Sequence, residues 1–240
     1  MHALLETSQS VVTLTPPKNN IGNTEGNYCA LDEYKRLPDW LFDIPTSIEY
    51  SKSEYYNWAN IKSIWDENWN NKNPNAIIRL QKTPSDIFRV KLMQESFTPT
   101  KWIISVKNPY YYLTSLINYS RNSNIVNDLE TVCLYINNVY KIQLENKELL
   151  GTDAYTMTCE DFALNPNKHK LGIETFMPEL GSIDLNRPLN IKGNMSFSVT
   201  DNSKSKLDLL LEKYPTIIND SNVYFKQSES LINNWGYSLI

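Results

Sequence analysis

Residues 77–119 read IIRLQKTPSDIFRVKLMQESFTPTKWIISVKNPYYYLTSLINY, and the spacing within this stretch decides the fold. Ala76 to Leu80 is a short apolar run that predicts a strand. Thr83-Pro84-Ser85-Asp86 then opens a helix, with Thr83 placed to cap it and Pro84 at its first position. Ile87, Val90, Leu92, Met93 and Phe97 supply the apolar residues of that helix, and Pro99 and Thr100 end it. Trp102-Ile-Ile-Ser-Val106 predicts a second, buried strand, and Lys107-Asn108 turns the chain. Pro109 starts another helix, in which Tyr112, Leu113, Leu116 and Ile117 recur at helical spacing. Strand–helix–strand–helix with short connections is the grammar of a parallel α/β sheet.

The pattern extends in both directions. Upstream, Ser53 to about Trp69 predicts a helix carrying Tyr56, Ile61, Ile64, Trp65 and Trp69 near one face, closed by a polar break that contains Pro74. Residues 14–50 read as irregular, and Ala3 to Glu6 as part of a helix already under way. Downstream, a long helix is expected from about Ile125 to Leu149, because Leu129, Val132, Cys133, Ile136, Val139, Tyr140 and Leu144 fall at steps of three and four. Cys133 on that stripe reads as a buried small apolar residue. Ala154 to Thr158 predicts a third strand, with Glu160-Asp161-Phe162 at its end. Helices follow at 167–180, 203–213 and about 223–234, before Trp235-Gly236-Tyr237. With no internal repeat and no linker, residues 1–240 are expected to form one α/β domain.

Composition removes several functional classes. The 240 residues include only seven glycines. Gly22 and Gly26 are one residue too close for a GxxxxGK[ST] phosphate loop, and no GxGxxG fingerprint occurs. Net charge is −4 and Lys and Arg are not clustered, which argues against long nucleic acids as partners. Three widely spaced cysteines do not suggest a disulfide framework. His2 and His169 are the only histidines, so no His-rich metal site is expected, and His169 within Asn-Pro-Asn-Lys-His-Lys reads as a solvated surface residue. No apolar run approaches the ~20 residues that span a bilayer, and the N-terminus lacks a basic segment ahead of its apolar residues. The expectation is a cytoplasmic protein without a membrane segment, with a Golgi anchor upstream as the alternative.

The quoted stretch resembles the sulfotransferases that use 3′-phosphoadenosine 5′-phosphosulfate (PAPS). In that family a strand ends in a Lys-Ser/Thr-Pro turn, followed by a helix bearing an Arg, an apolar strand, Arg-Asx-Pro, and a Ser eight residues after the Arg. The matching residues here are Lys82-Thr83-Pro84, Arg89, Trp102 to Val106, Lys107-Asn108-Pro109 and Ser115. Tyr155-Thr-Met-Thr-Cys-Glu160-Asp161-Phe162 is similar to the family's strand ending in Tyr-Glu-Asp-Leu. Lys192-Gly193-Asn194 matches a late Lys/Arg-Gly loop, and Trp235-Gly236-Tyr237 a common ending. The resemblance implies a three-layer α/β fold, a parallel sheet flanked by helices, akin to P-loop nucleoside-triphosphate hydrolases. It also places Met1 to Thr7 in the body of the helix that follows the 5′-phosphosulfate loop, so that the first strand and that loop would lie upstream.

The chemistry of the match is concrete. The resemblance assigns Lys107, Ser115, Lys192 and Gly193 to the nucleotide, and Lys82 to the reacting sulfuryl group. A 3′-phosphate needs a cation and hydroxyl or backbone donors, and a strand's carboxyl end leading into a helix supplies oriented N–H groups. Taken alone, Lys107 and Ser115 read as a solvated lysine at a strand end and a helix serine facing solvent; beside the other matches they read as a phosphate site. Lys107 stands where the family has Arg and lacks its planar fork. Lys82 could stabilise sulfuryl charge, act as a base if burial lowered its pKa, or cap the turn. Gln81 stands where the family places a base, and no base is identified. The implied function is sulfuryl transfer from PAPS to a hydroxyl or amine of a carbohydrate, peptide or small alcohol, with no metal. The alternative is a catalytically degenerate homologue that binds nucleotides, glycans or proteins.

Overall fold

The computed structural model describes residues 5–15, 57–120, 129–187, 189–191, 194–196 and 203–240. Along the chain these residues form β1 (Val11–Thr13), α1 (Trp58–Lys72), β2 (Ile78–Leu80), α2 (Val90–Ser96), β3 (Trp102–Val106), α3 (Pro109–Ser120) and α4 (Leu129–Leu150). Next come β4 (Ala154–Thr158), α5 (Cys159–Leu164), α6 (Pro166–Phe176), β5 (Leu189–Ile191), β6 (Asn194–Ser196), α7 (Ser203–Lys213), α8 (Ile217–Phe225) and α9 (Glu229–Asn233). Short 3₁₀ turns at Pro84–Phe88, Gly151–Asp153, Pro178–Leu180 and Lys226–Ser228 join several of them. The fold class is mixed α/β, rich in helix, with two two-stranded parallel sheets, β1–β2 and β3–β4, and an antiparallel pair, β5–β6. The described elements group into two compact units.

The first unit holds β1, α1, β2, α2, α6, β5 and β6. Trp58, Ile61, Trp65 and Trp69 recur at three- and four-residue steps and form the buried face of α1. Trp65 stacks on Phe97 at 5.4 Å and Trp58 meets the same ring edge-on at 6.0 Å, so Phe97 closes the aromatic core at the end of α2. β1 was not expected from the sequence. Its Val-Val-Thr is held from α1, where Asn68 exchanges two hydrogen bonds with the Thr15 backbone and Lys72 donates to Thr13 Oγ1 at 2.8 Å. It pairs with β2 in register Val11↔Ile78 to Thr13↔Leu80.

Two local expectations in this unit are corrected. The helix predicted from Thr83 is a 3₁₀ turn that breaks at Arg89 before α2 begins. Thr83 makes no side-chain cap; its Oγ1 accepts from Gln81 Nε2 at 2.8 Å. The buried Arg89 side chain folds back onto Ser85, bonding both its carbonyl and its hydroxyl, and this local bonding competes with a continuous helix. His169 is 3% exposed rather than solvated. It lies on α6 four residues before the fully buried Ile173, and helical projection outweighs the polar character of its sequence neighbours.

The second unit holds β3, α3, α4, β4, α5, α7, α8 and α9. β3 and β4 are parallel, from Trp102↔Ala154 to Val106↔Thr158, and α3 and α4 form the crossover between them. α4 buries Val132, Cys133, Ile136, Val139 and Tyr140 of its predicted stripe, leaves Leu129 and Leu144 half-buried, and buries Tyr135 besides. Leu113 and Leu116 bury the facing side of α3, and α8 and α9 pack on α4. The expected last helix is in fact two, α8 and α9, separated by the 3₁₀ turn. Residues 121–128, where the long helix was expected to begin, and the irregular stretch from 16 to 50 lie outside the described residues. Among the described residues, no helix is long and apolar enough to cross a membrane.

Candidate functional site

The chemistry-bearing residues of the second unit collect where β3 and β4 end. Asn108 forms the entry to α3: its carbonyl accepts from Tyr112 N at 2.8 Å and its side-chain oxygen from Tyr110 N at 3.0 Å. Pro109 at the next position loses nothing, because the first helical N–H groups have no carbonyl ahead of them. The Asn-Pro pair therefore turns the chain from strand into helix within two residues. Lys107 sits at the turn itself.

Ser115 lies two turns further along α3. Lys107 Nζ donates to Ser115 Oγ at 3.1 Å, and Ser115 Oγ in turn donates to the Tyr111 carbonyl at 2.9 Å. The eight-residue spacing thus brings an ammonium and a hydroxyl together, and both are half-buried. A cation, a hydroxyl and a helix N-terminus at a strand's carboxyl end form an arrangement suited to an anion.

Glu160 contributes the opposite charge. It lies in the first turn of α5, and its Oε1 accepts from Asn108 N at 3.0 Å while its Oε2 accepts from the Tyr237 hydroxyl. The Tyr140 hydroxyl donates to the Lys107 carbonyl. Burial, then the nearby Glu160 charge, pushes the Tyr140 phenol well above its ordinary value. Burial and the hydrogen bond to Glu160 do the same to Tyr237, so both phenols stay protonated and keep donating. Burial also raises the Cys159 thiol, with Glu160 adding to the effect and Lys107 opposing it. Cys159 is therefore poorly suited to act as a nucleophile.

Of the remaining sequence-predicted residues, one is described. Lys82 belongs to the first unit, where its side chain is exposed. The neighbouring Gln81 amide is committed to Thr83 Oγ1 and Asp86 Oδ2, each at 2.8 Å. Lys192 and Gly193 lie outside the described residues. Among the described residues no group of three or more His, Cys, Asp and Glu is arranged to hold a metal ion.

Tyr140 and Tyr237, like Glu160 and Asn108, were not given a site role by sequence reasoning. Tyr140 reads as one more member of the α4 core stripe, and only its hydroxyl distinguishes it. Tyr237 reaches Glu160 because Gly236 adopts φ +80° and ends α9 with paired bonds, Gly236 N to Asn233 O and Tyr237 N to Ile232 O. The glycine followed by an aromatic was the available signal. Comparison with family models, with curated proteins and with solved structures finds no match to this chain.

Proposed function

We propose that this chain is a sulfotransferase-like protein that binds the 3′-phosphate end of PAPS at Lys107 and Ser115. The observation that carries the reading is the 3.1 Å approach of Lys107 Nζ to Ser115 Oγ beside the first turn of α3. A phosphate oxygen entering between them exchanges one neutral acceptor for a charged one, which strengthens the ammonium's hydrogen bond. The fold that accompanies this reading is the three-layer α/β arrangement of that family. Sulfuryl transfer from PAPS to a hydroxyl or amine acceptor is the activity that accompanies this reading, and Lys82 is the residue that the resemblance assigns to the transferred group. The resemblance also assigns Lys192 and Gly193 to the nucleotide.

The second reading is a homologue that binds without turning over, and one observation favours it. Where the resemblance calls for a general base, the Gln81 amide is held by two hydrogen bonds and has no basic atom to offer.

Calorimetric titration with 3′-phosphoadenosine 5′-phosphate (PAP), beside adenosine 5′-phosphate, tests the shared premise. The wild type should prefer the 3′-phosphorylated nucleotide by about 10- to 100-fold, the range of a hydrogen bond to a charged group. Lys107→Ala should abolish that preference, and Ser115→Ala should reduce it. A wild type that binds both nucleotides equally, or neither, sinks the assignment. Sulfate transfer from labelled PAPS to carbohydrate, peptide and alcohol acceptors then separates an enzyme from a binding module.

A further inference from the structure

Lys107 and Asn108 share one peptide group, and that group is held at both ends. Its carbonyl accepts from the Tyr140 hydroxyl, and its N–H donates to Glu160 Oε1 at 3.0 Å. The other oxygen of Glu160 accepts from Tyr237, whose ring meets that of Tyr140 edge-on at 6.4 Å. Tyr140, the peptide, Glu160 and Tyr237 therefore close into a ring around the turn that carries Lys107. The residues after Tyr237 grip α3 a second time. Tyr110 Oη accepts from Ile240 N at 3.0 Å and donates to Asn222 Oδ1 at 2.6 Å, and Asn222 Nδ2 donates to the Ile240 carbonyl.

We infer that Tyr237 is a positioning residue for the anion site and that the segment 237–240 is a strap fixing the Lys107–Asn108 peptide. The inference rests on the phosphate reading proposed above and adds to it the element that sets the site's affinity. The orientation of this peptide fixes where the Lys107 side chain departs and where α3 begins. Those two directions place the ammonium against Ser115. Loss of the Tyr237 hydroxyl leaves Glu160 held by a single contact, so the peptide gains freedom that binding must then remove.

Glu160 supplies the discriminating variant. Glu160→Gln keeps both contacts, because the amide oxygen still accepts from Asn108 N and the amide nitrogen donates to the Tyr237 oxygen. It also removes a negative charge beside an anion site. If Tyr237 and Glu160 act only as general stabilisers, affinity and melting temperature fall together in every variant. If they position the turn, Tyr237→Phe weakens binding and Glu160→Gln does not.

The experiment titrates the 240-residue chain and its variants with PAP and measures amide exchange on the same proteins. Tyr237→Phe is expected to weaken binding about three- to tenfold, the range of one neutral hydrogen bond, while Glu160→Gln binds as tightly as wild type or tighter. Exchange at the Asn108 amide should quicken in Tyr237→Phe, while exchange at Ile136 in the α4 core stays within about twofold, since α4 keeps its helical bonds. A wild type that does not bind PAP overturns the phosphate reading, and the positioning role with it. A wild type that binds, with Tyr237→Phe binding equally well and Asn108 exchanging unchanged, leaves the phosphate reading standing and overturns the strap alone.

Discussion

Tyr140→Phe tests the geometry of the strand-end turn through a signature that packing alone cannot produce. Tyr140 is 1% exposed, and the substitution keeps its ring while deleting the hydroxyl that donates to the Lys107 carbonyl. Losing this buried hydrogen bond should cost about 1.5 kcal/mol at neutral pH. The phenol is pushed up from 10.0, first by burial and then by the Glu160 charge, so the folded protein keeps its proton where the unfolded chain loses it. The stability this group contributes is therefore complete below pH 10 and declines as pH rises above it. At pH 11 the unfolded phenol gains RT ln(1 + 10), about 1.4 kcal/mol, and wild type loses that much stability while the Phe variant does not. The gap between the two proteins should thus shrink from about 1.5 kcal/mol at pH 7.5 to about 1.1 at pH 10 and nearly zero at pH 11. Urea unfolding followed by tryptophan fluorescence at the three pH values measures it. Other groups ionise identically in both proteins and cancel in the difference. A gap of the same size at pH 7.5 and pH 11 would show that the Tyr140 phenol does not hold its proton through a buried hydrogen bond, and the argument would fall.

Two further substitutions probe single features. Gly236→Ala should lower stability by about 1 kcal/mol, the cost of a left-handed backbone for a residue with a Cβ; nothing lies within 4 Å of the added atom, so strain acts alone and Gly236→Asn should recover part of the loss. His169→Ala should cost more than about 1 kcal/mol by thermal or urea unfolding, whereas Ala at the exposed neighbour Asn167 should stay within about 0.5. Equal effects at the two positions would contradict the burial of His169.

The segment from β3 to β4 was the most legible part of the chain because its signals are local and repeated. Trp102 to Val106 is rich in β-branched residues, Asn108-Pro109 carries both a cap and a helix start, and the α4 stripe runs through about four turns. β1 was not legible for the opposite reason. Three residues give no periodicity, and its support comes from β2 and α1, more than fifty positions away in sequence. The 3₁₀ break at Arg89 was hidden because it depends on an arginine side chain folding back onto Ser85, which no hydrophobic pattern records. Lys107 and Ser115 were legible as a pair only through the resemblance, since their spacing alone is equally that of a strand-end lysine and a helix serine facing solvent. The link from Tyr237 to Glu160 was not, since 77 residues separate them and only the folded unit brings them together.

The charge balance at the Lys107 turn bears on what kind of anion site it can be. Lys107 and Glu160 meet on the same short stretch of backbone, one through its carbonyl-bearing residue and the other through the next N–H. Their charges cancel at long range, so the turn does not draw anions by excess positive potential as a cluster of lysines does. Any selectivity must then come from geometry at contact distance. A dianionic phosphate gains from Lys107, Ser115 and the α3 N-terminus only when it sits close to all three, and farther off Glu160 offsets the attraction of Lys107. Two hydrogen bonds, one to each oxygen, hold the carboxylate in place. On the reading proposed here, the turn therefore discriminates by holding still. The same Glu160 that weakens nonspecific anion binding also keeps the lysine aimed.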